Sequence, residues 1–127
     1  MVSLGLGLSA ALVLASCSSG TAATSGSGKS GGIDIALSNS YIGNTWRIEM
    51  ENEYKAACHM PPFKGHVKCS VYNANNNVSS QKQQLSGMVA SGVQAIVTDA
   101  ASPTGLNGTI KQACSRGILV VSFDNTV

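Results

Sequence analysis

The alternation of four short strand-like runs with three helical segments most constrains what residues 33–127 can fold into. The runs fall at 33–37, 66–73, 95–98 and 118–123. They have strand length and are rich in Ile, Val and Leu, whereas the segments between them repeat apolar residues every three or four positions. Strands that alternate with helices predict a parallel sheet reached by right-handed crossovers.

The first run, Ile-Asp-Ile-Ala-Leu, gives way to a polar, glycine-containing loop at 38–44. A helix over 44–58 follows, with Trp46, Met50, Tyr54 and Ala57 on one face. Pro61, Pro62 and Gly65 then force a surface loop. In the second strand Val67, Cys69 and Val71 alternate with Lys68, Ser70 and Tyr72, the pattern of an edge strand. Residues 74–77 turn into a second helix, lined on one side by Val78, Leu85, Met88 and Val89 and stopped at Ser91-Gly92. The third strand, 95–98, leads through a loop at 99–103 to a third helix over 104–116. Leu106, Ile110 and Ala113 face inward there, and Gly117 follows the helix. The fourth strand is apolar except for Ser122 and reads as central. This β-α-β-α-β-α-β order predicts an α/β, flavodoxin-like parallel sheet with strand order 2-1-3-4. The loops after strands one, three and four then share the rim on which such sheets bind ligands.

Residues 1–32 precede this unit. The apolar stretch 4–15 is too short to span a bilayer. It ends in Leu-Ala-Ser followed by Cys17, a signal-peptide pattern resembling a bacterial lipobox in which Cys17 carries the lipid. A plain secretory signal with a chance cysteine is the alternative. Residues 1–3 contain no Lys or Arg, as if the true start lay further upstream. The Gly/Ser-rich 18–32 cannot bury enough apolar surface to order itself and reads as a tether. The expected organisation is therefore 1–17 signal and lipobox, 18–32 tether and 33–127 domain, in an exported protein anchored to the cell membrane by lipid.

Export permits disulfides. Of Cys58, Cys69 and Cys114, the first closes helix one and the second lies on the Val67/Val71 face of the adjacent strand, so a Cys58–Cys69 bridge is expected with Cys114 reduced. His59 and His66 lie near these cysteines, but the spacing matches no common zinc motif and His66 and Cys69 point to opposite faces. No metal or cofactor is implied. The net charge is +2 with scattered lysines and arginines, which gives no footprint for nucleic acid. The sequence has no glycine-rich phosphate loop, no nucleophile elbow and no histidine on the ligand rim, so nothing in it supports an enzyme. A response regulator would need acidic residues after strand one. Asp99 stands near its phosphorylation position, but Ser38 and Asn39 occupy the acidic one.

Three stretches carry a family resemblance: IALSNSYIGNTWR at 35–47, LSGMVASGVQAIV at 85–97 and GILVVSFD at 117–124. They resemble type I periplasmic sugar-binding proteins, the ribose-binding-like receptors of ABC importers. The resemblance covers essentially all of 33–127. It implies the start of the first of two lobes, and hence a partial N-terminal lobe. It also implies a non-catalytic receptor that hands a sugar to ABC permease subunits; an exported sugar sensor of the same fold is the alternative. By position, Tyr41, Asn44, Trp46 and Arg47 match the family's sugar-contacting loop, and Asp124 its hydroxyl-accepting aspartate. Asn125 stands where an arginine often follows, and Thr98-Asp99 where Asn-Pro is frequent. Three of these residues also have a plainer reading. Trp46 could be core, Arg47 could pair with Glu51 one turn on, and Asp124 could cap a following helix.

Overall fold

The computed structural model describes residues 31–125 and 127. The signal segment, Cys17 and residues 18–30 of the tether lie outside the described residues. The elements run β1 (Ile33–Asn39), α1 (Thr45–Cys58), β2 (Val67–Asn73), α2 (Val78–Ser91), β3 (Ala95–Asp99), α3 (Asn107–Ser115) and β4 (Leu119–Ser122). The four strands form one parallel sheet in the order β2-β1-β3-β4. The α/β class and the strand order are those the alternation predicts.

Alternate residues of each strand face opposite layers. Ala36, Ile96 and Val120 face α2 and α3, where Leu85, Met88, Val89, Leu106, Ala113 and Ile118 complete the main core. Ile35, Cys69 and Val97 face the other way, toward Tyr54, Ala57 and Cys58 of α1. Gly92 closes α2 in the left-handed conformation at φ 76°, where a side chain would be strained.

Four features differ from the sequence expectation. First, β1 continues through Ser38 and Asn39, and β3 through Asp99. Asn39 pairs with Asn73 on one side and Asp99 on the other, so the ladder carries these polar residues as strand. Second, α1 buries the Trp46–Ala57 stripe only in part, with Met50 and Tyr54 half-buried. Its buried residues are Arg47 and Glu51, while Trp46 and Ala57 are exposed. The cause lies beneath the helix: Asn39, at the polar end of β1, donates from Nδ2 to Glu51 Oε1 at 3.1 Å, and its Oδ1 accepts from Arg47.

Third, α3 begins at Asn107, a turn later than expected. The Ser102 hydroxyl accepts the Gly105 N–H at 2.9 Å, a local bond that competes with helix in the preceding segment. Fourth, β4 is an edge strand of the described sheet rather than a central one. Val120 reaches the main core, but Leu119 and Val121 are exposed because no described element covers β4 on the α1 side.

Cys58 and Cys69 are joined as a disulfide with a Cα–Cα distance of 6.4 Å, and Cys114 is free and exposed. The bridge ties the last residue of α1 to β2. For so short a loop, the chain-entropy model gives a stabilisation of about 3 kcal/mol. Tyr54 donates its hydroxyl to Ile35 O at 2.9 Å, and burial raises its pKa to about 12, so the phenol stays neutral in its apolar surroundings. Among the described residues, no helix is long and apolar enough to cross a membrane.

Candidate functional site

The loops that leave the carboxyl ends of the strands enclose an open cavity of about 390 Å³. Ser40 and Tyr41 reach it from the β1 loop, Arg47 from the first turn of α1, and Asn76 from the β2 loop. Residues 100–103 reach it after β3, and Asp124 and Asn125 after β4. The parallel topology alone collects these segments on one rim.

The floor of the cavity is a buried polar network built on Arg47. The Arg47 side chain is 10% exposed and forms an ion pair through Nη1 with Asp99, whose side chain is fully buried. The same nitrogen donates to Asn39 Oδ1 at 2.8 Å and to Ser40 Oγ at 3.0 Å. Nη2 stands 3.6 Å from Asp124 Oδ2. Asn125 donates from Nδ2 to Asp99 Oδ1 at 3.2 Å, and the Ser40 hydroxyl donates to Asp99 Oδ2 at 3.4 Å. Asp99 therefore links β1, α1 and the β4 loop. Burying this pair costs desolvation of both ions, which the surrounding hydrogen bonds offset.

A second brace lies behind the floor. Gln81 on α2 is fully buried. Its Nε2 donates to Ser38 Oγ at 3.0 Å and to Asp99 O at 2.9 Å, and its Oε1 accepts the Ala101 N–H at 2.8 Å. A single amide thus holds β1, β3 and the β3 loop in register. The loops are shaped by local backbone chemistry as well. Asn76 and Asp124 both take positive φ, at 56° each, a region that Asn and Asp tolerate better than most residues. Gly43 admits the Tyr41 ring, because a Cβ at that position would overlap the phenol.

Of the six residues singled out in the sequence, Tyr41, Arg47, Asp124 and Asn125 line the cavity. Asn44 does not. It caps α1, accepting the Arg47 N–H on Oδ1 at 2.9 Å. Trp46 also lies outside the lining, half-exposed, with the Arg47 guanidinium 5.6 Å from its ring centroid. Arg47 pairs with Asp99 and not with Glu51, whose partner is Lys55 at 3.3 Å. Ser40, Asn76, Asp99 and Gln81 were not anticipated as parts of the site. Their common signal is a polar side chain at the carboxyl end of a strand or at the start of the helix behind it.

A family model described as a periplasmic binding protein domain matches residues 35–126. The chain belongs to that family, as a type I periplasmic binding protein. Solved relatives agree. A solute-binding protein of an ABC transporter from Thermobispora bispora DSM 43833 is 36% identical, with a TM-score of 0.67 over 71% of this chain and 29% of that one. An ABC transporter solute-binding protein from Burkholderia multivorans, with an unknown ligand represented as alpha-D-erythrofuranose, is 26% identical. Its TM-score is 0.70, over 76% and 34% of the two chains. The myo-inositol binding protein of Caulobacter, bound to myo-inositol, shares the fold at 21% identity and TM-score 0.68, over 75% and 31%. No curated protein matches the sequence. This periplasmic binding protein chain spans about a third of the length of the solved relatives it matches. The family and these relatives are binding proteins, and the cavity lies where the periplasmic binding protein lobe gathers its strand ends.

Proposed function

We propose that this chain supplies one wall of the ligand site of an extracytoplasmic solute receptor. The receptor takes up a sugar or related polyol and delivers it to the permease subunits of an ABC importer, with no catalytic step. The observation that carries this reading is the cavity on the carboxyl rim, where Ser40, Tyr41, Arg47, Asp124 and Asn125 present hydroxyl, guanidinium, carboxylate and amide groups together. Its volume of about 390 Å³ falls in the range of small-molecule sites, roughly 300–1,000 Å³. Dense, mixed donors and acceptors suit a ligand covered in hydroxyls, each of which both donates and accepts. The solved relatives at 36% and 26% identity are named as ABC transporter solute-binding proteins, which favours delivery to a permease over sensing.

In this reading Asp124 accepts hydrogen bonds from ligand hydroxyls. Its side chain is 46% exposed and leans against Arg47 on one side only. Asn44 acts by setting the first turn of α1. Charge-assisted bonds to a carboxylate are stronger than neutral ones, and losing one strands a ligand hydroxyl at roughly 1–3 kcal/mol. Asp124→Ala in the intact protein should therefore weaken sugar binding about ten- to a hundredfold, read by calorimetry against a sugar panel. Wild-type affinity in this variant would place the ligand elsewhere.

We also propose that Cys17 carries a lipid that anchors the receptor at the outer face of the cell membrane, with 18–32 as the tether. The apolar run ending in Leu-Ala-Ser before Cys17 motivates this, and the Cys58–Cys69 bridge supports an oxidising, exported location. Cys17→Ala should move the protein from the membrane to the soluble fraction. A variant that stays with the membrane would remove the lipid anchor from the proposal.

A further inference from the structure

We propose that Asp99 sets the charge preference of this wall of the site: by binding Arg47 from below it leaves Asp124 as the charge a ligand meets there, so the wall favours neutral or cationic polyhydroxylated ligands over anionic ones. The inference rests on the sugar-receptor reading and adds the charge class of the ligand to it.

An arginine on a ligand rim would ordinarily attract carboxylates and phosphates, because its planar fork matches them. Here the fork is already engaged. Nη1 faces Asp99, Asn39 Oδ1 and Ser40 Oγ, all within the protein, and Nη2 faces Asp124 Oδ2 at 3.6 Å. Asp99 cannot turn toward a ligand, since its side chain is fully buried and its second oxygen accepts from Asn125. One guanidinium thus stands between two carboxylates, and among the described residues no other lysine or arginine lines the cavity. The formal charge of these three groups is −1, and its accessible part is Asp124, 46% exposed. On this wall an anionic ligand would meet like charge with no free cation among the described lining residues to offset it, and discrimination by like-charge contact is a strong device. An ammonium beside the hydroxyls would instead gain a partner in Asp124. Asp99 acts through Arg47 and touches no ligand; it is a positioning residue.

The test is calorimetry on the intact protein with matched sets of neutral sugar, uronate and 2-amino sugar in the glucose, galactose and mannose series. In the series that binds best, the uronate should bind at least about tenfold more weakly than the neutral sugar, and the amino sugar at least as well as the neutral one. Asp99→Asn keeps the size of the side chain and frees Nη1 of its counter-charge. It should raise the uronate-to-neutral affinity ratio by about tenfold or more, a change of preference that a merely structural role would not produce. Asp124→Asn alters the exposed charge without touching the buried pair, and it should raise the same ratio even where Asp99→Asn fails to fold. A wild-type protein that binds the uronate as tightly as the neutral sugar overturns the inference and leaves the receptor standing. So does an unchanged ratio in a folded Asp99→Asn protein. Absence of binding by every sugar in all three series would overturn the receptor reading, and this inference with it.

Discussion

Arg47→Met should lower the stability of the domain by about 3–5 kcal/mol, the usual cost of removing one partner from a buried ion pair. Methionine keeps most of the packing volume, so the loss reports the charge rather than a cavity. Asp99 would remain fully buried with only the Asn125 amide and the Ser40 hydroxyl to solvate it. Asn39 Oδ1 and Ser40 Oγ would each lose a donor. Urea unfolding followed by circular dichroism should show a lower midpoint with little change in slope. Adding Asp99→Leu to Arg47→Met removes the stranded charge and should recover a large part of the loss, as expected for coupled neighbours. A loss below about 1 kcal/mol for the single variant would mean that water reaches Asp99 and that the pair is not buried in the sense argued.

Gln81→Leu should cost about 2–4 kcal/mol although it makes the core more apolar. Three groups lose their partner at once: the Ser38 hydroxyl, the Asp99 carbonyl and the Ala101 N–H. Buried polar groups left unmade cost roughly 1–3 kcal/mol each, partly offset here by the gain from burying leucine. The neighbouring Gln84 is a natural control. Its Nε2 donates to Asn73 O at 2.9 Å, but its Oε1 has no partner, so Gln84→Leu strands one group rather than three. Equal stabilities for the two variants, measured in the same denaturant series, would show that Gln81 does not brace the sheet.

The architecture was legible because it depends on period. Strand-length runs alternating with helical stripes fix a parallel sheet, and the β2-β1-β3-β4 order follows. Period fails where a polar residue occupies a regular element. Ser38, Asn39 and Asp99 read as loop because the apolar run had ended, yet they lie in β1 and β3 and are buried. The face of α1 was misjudged for the same reason. Counting apolar side chains selects Trp46, Met50, Tyr54 and Ala57, whereas the helix rests partly on the polar end of β1 and turns Arg47 and Glu51 toward it.

The candidate site was half legible. The resemblance pointed to Tyr41, Arg47, Asp124 and Asn125 through their place after strands one and four, and all four line the cavity. It could not separate from them Asn44, whose side chain caps α1, or Trp46, which one residue of helical rotation from Arg47, about 100°, carries out of the lining. Asp99 had a signal of its own. It is one of only six acidic residues in the chain, and it ends an apolar strand, where an unpaired carboxylate would be intolerable.

The Cys58–Cys69 bridge and the Arg47 network hold the two ends of the same helix. At its last residue α1 is covalently attached to β2, and within its first turn Arg47 is fixed by Asn39, Ser40 and Asp99. A long arginine side chain normally surrenders substantial rotamer freedom when it takes up a fixed position. Here that freedom is lost when the polypeptide folds, so a solute arriving at the rim meets a wall whose donors and acceptors already stand in place. The entropic penalty of ordering this wall then falls on folding, and a small hydroxylated solute, which has few contacts to spare, does not have to supply it.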